Sequence, residues 1–127
     1  MADFHKSTIE FLSICDGTHQ LCKGIHWSTD NKSEHLLVDE IDDAVLEYQD
    51  KIAECAMGST GVKFKIGDLK ALLPEAKDTK GMLDELEHDV LNYKHIVGED
   101  LKASAFHNIL DDFLTDIYKW KYLATLT

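Results

Sequence analysis

Little in the chain interrupts long regular elements: it carries one proline and seven glycines in 127 residues. Its three cysteines, Cys15, Cys22 and Cys55, include no C-x-x-C pair. That odd, unmatched set argues against a zinc ribbon or a dithiol redox motif and reads as free, reduced, mostly buried thiols. No apolar run approaches the length that spans a bilayer, so no membrane partner is expected. Met1 to Lys6 lack the charged-then-apolar layout of a secretion signal, which makes the cytoplasm the expected location. A basic tail is also missing. The 13 Lys and Arg stand against 24 Asp and Glu, a net charge of −11 with histidines neutral. Such a chain repels duplex DNA and attracts cations.

What is present is helical periodicity, over a length that fits one domain covering residues 1–127. From Asp3 to His26, residues Phe4, Thr8, Phe11, Cys15, Thr18, Cys22 and Ile25 fall at steps of three and four, with Gly17 an internal weak point. Ser28 to Lys32 reads as a loop. Ser33 is a fitting N-cap for a second helix to about Met57, with Leu37, Ile41, Ala44, Tyr48, Ile52 and Cys55 as its buried stripe. Gly58 to Gly61 stops it. Val62 to Pro74 is a crossover with room for a short helix from Gly67 to Leu73. A third helix is predicted from Ala76 to Lys102 on Leu83, Leu86, Val90, Tyr93 and Val97. Ser104 can cap a fourth, to about Leu126, on Phe106, Ile109, Phe113, Ile117, Trp120 and Ala124. The short links pair helices one with two and three with four, and the longer connection joins the middle two.

The second helix has a second face. His35 and Asp39 stand four apart, as do Asp50 and Glu54. With His35 at zero and ~100° per residue, Asp39 lies near ~40°, Asp50 near ~60° and Glu54 near ~100°, while the apolar stripe centres near ~200°. The ligand-type residues therefore point away from the chain's own core. His35 and Asp50 are ~22 Å apart along the helix, so one metal cannot touch both pairs in one chain. Two such helices crossing antiparallel about a two-fold axis bring the first pair of one chain to the second pair of the other, as an isologous dimer requires. Leu46, near ~20° on the same face, suits a dimer contact. His26, followed by Trp27, ends the first helix, and in an antiparallel hairpin it comes close to His35. The competing reading of these residues is a solvated charged face, with His26 a helix C-terminal histidine favoured by the dipole.

With His26-Trp27, His35-x3-Asp39 and Asp50-x3-Glu54 in order, the chain resembles the Dps family, the mini-ferritins. Asp50-Lys51-Ile52-Ala53-Glu54 is typical of that family, and Trp120 with Asp116 before it suits the family's last helix. The resemblance covers nearly the whole chain, most convincingly Gly24 to Gly58. The link between His26 and His35 is a few residues shorter than in the family, which leaves the reach of His26 open. The crossover is short as well. The family's lysine-rich tail is missing, so DNA binding does not carry over.

The resemblance implies an all-α, ferritin-like four-helix bundle with a crossover between helices two and three. It also implies two-fold dimers assembled into a dodecameric shell, with ferroxidase sites at the dimer interfaces. There Fe(II) would be oxidised, preferentially by hydrogen peroxide, and stored as ferric iron. His26, His35 and Asp39 would come from one subunit and Asp50 and Glu54 from its partner. Carboxylate and imidazole ligands suit iron, and zinc is a possible substitute. Trp27 would lie beside the site, as a radical trap or as interface packing. The alternative is a non-enzymatic assembly of the same fold with weak or no metal binding.

Other pairs carry less. Glu85-x-x-His88 has di-iron spacing but no second copy on another helix, so it reads as surface. His107 with Asp111, and Asp112 and Asp116 nearby, could line an ion pore or form a solvated face. His5, His19 and His95 carry no paired signal.

Overall fold

The computed structural model describes residues 2–99 and 102–127. They form four helices: α1 (Ala2–Ser28), α2 (Lys32–Thr60), α3 (Thr79–Val97) and α4 (Ala103–Ala124). The contacts close a ring: α1 packs on α2 and α3, and α4 packs on α3 and α2. None of the four is long and apolar enough to cross a membrane.

The α1 stripe is buried from Thr8 through Phe11, Cys15, Thr18 and Cys22 to Ile25, with Phe4 packed at its edge. Phe11 stacks on Tyr93 at 4.5 Å and Tyr48 on Phe113 at 4.4 Å, tying α1 to α3 and α2 to α4. Among the described residues, buried polar side-chain atoms other than the His107 Nε2 find partners, as burial requires. The Thr8 hydroxyl lies 2.7 Å from the Tyr93 hydroxyl. The Trp120 indole donates to Glu40 at 3.0 Å. On α2 the buried set is Leu37, Val38, Ile41, Val45, Tyr48, Ile52 and Ala56. It is rotated from the expected stripe, because α2 packs against α1 and α4 together. Val38, Val45 and Ala56 turn inward, and Ala44 and Cys55 move to the edge.

Two ends of the bundle can be told apart. Phe4 of α1, Ser59 and Thr60 of α2, and Ala103 and Phe106 of α4 surround one cavity. At the other end, the Thr79 hydroxyl at the start of α3 donates to Glu34 at the start of α2 (2.7 Å). So α2 and α3 run in the same direction, and residues 61–78 return along the length of the bundle. No helix forms at Gly67–Leu73. The segment has a single turn at residues 66–67 and otherwise no regular structure. Its amides are spent on α1 instead: Lys70 donates to the Ser13 hydroxyl (3.2 Å) and Leu72 to the Ser13 carbonyl (3.0 Å). Gly17 makes this possible, since a Cβ there would sit 1.8 Å from the Leu72 carbonyl oxygen.

Several helix boundaries differ from the sequence expectation. Asn31, not Ser33, caps α2, its side-chain oxygen accepting from the Glu34 amide at 2.9 Å. α3 begins at Thr79 rather than Ala76. Asp78 caps it through the Gly81 amide, and Glu85 holds the Glu75 and Ala76 amides outside the helix at 2.9 and 2.7 Å. It ends at Val97 because Gly98 turns to φ 77°. The predicted continuation through Asp100 and Leu101 lies outside the described residues. α4 starts at Ala103, which places Ser104 in its first turn, and stops at Ala124 rather than Leu126.

Candidate metal centre

A three-residue link, Thr29 to Asn31, joins α1 to α2 and sets His26 level with His35. Their rings stack with centroids 3.7 Å apart and planes 17° from parallel. The shorter link therefore does not keep His26 away. Each ring is also held by the other residue's backbone. The His26 Nδ1–H donates to the His35 carbonyl at 3.0 Å, and the His35 Nδ1–H donates to the His26 carbonyl at 2.7 Å. A carbonyl only accepts, so both Nδ1 atoms carry the proton. In the neutral rings the lone pairs then sit on Nε2, the arrangement in which one ring nitrogen is anchored and the other can take a metal. These two anchored imidazoles are the part of the candidate set that one chain brings together.

Asp39, Asp50 and Glu54 are exposed, and Leu46 between the two pairs is half-buried. None of the three carboxylates has an ion pair or hydrogen bond among the described residues. Trp27 is 74% exposed, with Lys23 Nζ 5.4 Å from its ring centre, so its own chain does not cover it. One chain brings His26 and His35 together. It does not bring Asp50 and Glu54 to them. Among the described residues, no group of three or more His, Cys, Asp or Glu side chains could hold a metal within one chain.

Several of the remaining candidates are spent on structure. Glu85 caps backbone amides, and His88 is exposed beside it. Asp111 pairs with Lys94 at 2.5 Å. Asp116 accepts from the Tyr48 hydroxyl at 2.6 Å, and burial, followed by this bond, pushes the Tyr48 phenol far above its ordinary range. Burial likewise pushes the Cys15 and Cys22 thiols up, so neither is a ready thiolate. The His107 Nε2 is buried and has no partner among the described residues.

Two partnerships escaped the periodicity argument. His19 Nδ1 lies 2.5 Å from Asp42. His19 is seven residues before His26 and Asp42 seven after His35, so the antiparallel register of the histidine pair contains this contact two turns further along. The other is Glu34, whose carboxylate accepts from Thr29 (2.5 Å) and Thr79 (2.7 Å). Its signal was the spacing Asn31-x-x-Glu34, a capping-box pattern. No family model matches the chain, and neither does any curated protein or solved structure it was compared with.

Proposed function

We propose that this chain is a mini-ferritin-like protein that takes Fe(II) as substrate between two copies of itself, oxidises it there and retains the ferric product inside an assembly of such dimers. The observation that carries this reading is a register. His35 and Glu54 are equidistant from the point between Ala44 and Val45, and so are Asp39 and Asp50. One two-fold axis through that point pairs both sets at once when two α2 helices cross antiparallel. Leu46 lies beside the axis. The anchored histidine pair adds nitrogen donors at each end of the contact. The parallel course of α2 and α3, joined by a long return, supports the ferritin-like variant of the bundle.

The residues' work follows from their chemistry. His26, His35 and Asp39 of one chain, with Asp50 and Glu54 of its partner, offer hard and borderline donors to Fe(II), and Zn(II) fits the same set. Two Fe(II) ions each give up one electron to hydrogen peroxide. Its O–O bond breaks, and two hydroxide ions form. Carboxylates favour the more highly charged ferric product, which drives the transfer. Duplex DNA is not part of this reading. All 13 basic residues are lysines, spread along the sequence against 24 acids.

A second reading, an assembly protein of this fold with weak or no metal binding, is favoured by the lack of any three-ligand set within one chain among the described residues. A mixing experiment separates the two. A His35→Ala/Asp39→Ala chain and an Asp50→Ala/Glu54→Ala chain should each be inactive in Fe(II) oxidation. Co-assembled, each mixed dimer regains one whole site, and activity should return. Mixed dimers of confirmed composition that stay inactive sink the shared site, and a stable monomer by native mass spectrometry sinks the assembly.

A further inference from the structure

The two imidazoles are fixed by backbone carbonyls, so their aim depends on how the end of α1 and the start of α2 are held. That holding converges on one side chain. Glu34 precedes His35 in the first turn of α2. One of its oxygens accepts from Thr29, in the link three residues after His26 (2.5 Å). The other accepts from Thr79, the first residue of α3 (2.7 Å). The Thr29 hydroxyl in turn accepts the Asn31 amide at 3.1 Å, and the Asn31 side chain accepts the Glu34 amide. In an ordinary capping box the glutamate reaches back to the N-cap amide itself. Here the return bond is relayed through Thr29, and the spare oxygen is tied to a third helix. Thr79 is buried, so that tie is shielded from water.

We infer that Glu34 is the positioning residue of the histidine pair. It locks the link at the level that lets each histidine bond the other's carbonyl, which leaves both Nε2 atoms free for a divalent cation. The inference rests on the metal reading above, but it can be read without iron chemistry. Long-range ¹H–¹⁵N spectra of the metal-free protein should show His26 and His35 as Nδ1–H tautomers. Glu34→Ala should move both toward the Nε2–H form that free neutral imidazole prefers, while helix content stays near its starting value. Zn(II) affinity, measured by calorimetry, should fall about tenfold, the lower end for loss of an outer-shell partner. Glu34→Gln should restore most of both, because the amide still accepts from one threonine and can donate to the other. If Glu34→Ala does not fold, Thr29→Val cuts only the link and should shift the tautomers in the same direction. Unchanged tautomers and unchanged Zn(II) affinity in a folded Glu34→Ala or Thr29→Val protein overturn the inference. Unaltered protein that binds no Zn(II) overturns the metal reading instead, and the tautomer comparison still decides the role of Glu34.

Discussion

On the α3–α4 hairpin three acids are answered by lysines. Lys121 pairs with Asp84 at 2.9 Å and also with Glu87, and Lys94 pairs with Asp111. On the outer face of α2, Asp39, Asp50 and Glu54 have no partner among the described residues. Both hairpins bury a comparable apolar stripe. The difference therefore lies in these two sets of acids: those on the α3–α4 hairpin are tied to lysines of the neighbouring helix, and those on the outer face of α2 are not. Self-repulsion among unanswered carboxylates weakens a fold slightly, and the proposed contact between two α2 helices would answer them with a cation.

The comparison can be sharpened first where the two hairpins should agree. Ile52 and Leu110 are both fully buried. Ile52→Ala and Leu110→Ala should each cost about 3 kcal/mol in urea unfolding, since both leave a cavity in the same core. A cost several-fold smaller on one side would show that the hairpins do not share one core.

The same kind of change on the polar faces should give opposite signs. Lys121→Ala removes two partly exposed ion pairs and should destabilise by about 0.5–1 kcal/mol. Hydrogen bonding to Lys121 lowers the pKa of Glu87 and of Asp84, and raises that of Lys121. The acids' contribution is therefore present above their unfolded range, near ~4, and is lost as pH falls through their lowered folded values. The lysine's contribution is present below its unfolded range and is lost only as pH rises through its raised folded value. The stability gap between wild type and Lys121→Ala should thus be flat around neutral pH and close in acid. A gap that persists at pH 2 would assign it to packing of the lysine stem.

The smallest effect is expected on α2. Asp50→Asn with Glu54→Gln should raise the melting temperature of metal-free protein slightly at low salt, and the gain should fade as salt screens the face. A loss of stability would mean these acids have a structural partner, and would break the contrast between the hairpins.

Much of this architecture is legible in the residues. The spacing from Thr8 to Ile25 marks the buried face of α1 because that helix keeps one stripe inward along its whole length. His26 meets His35 because a short link leaves antiparallel helices no other register. What was illegible depends on distant partners. Nothing near Gly67–Leu73 says that Lys70 and Leu72 will donate to Ser13, fifty-seven or more residues earlier, so a helix looked equally good there. Ser33 resembles a cap as much as Asn31 does until the Glu34 amide chooses between them. The proposed site, shared by two chains, would leave only half its geometry in either one, so its register can be read from numbering while its ligand sphere cannot.

The glycine beneath the return segment also has a kinetic consequence. Contact between Ser13–Gly17 and Lys70–Leu73 closes a loop that contains all of α2, whereas each hairpin needs only a short link to close. Loop closure of that length should come after the hairpins have formed. Gly17→Ala drives a methyl into the backbone of the returning strap, so its burden should fall on a contact made late. It should therefore speed unfolding and leave the folding rate nearly unchanged, a φ-value near zero in a chevron series.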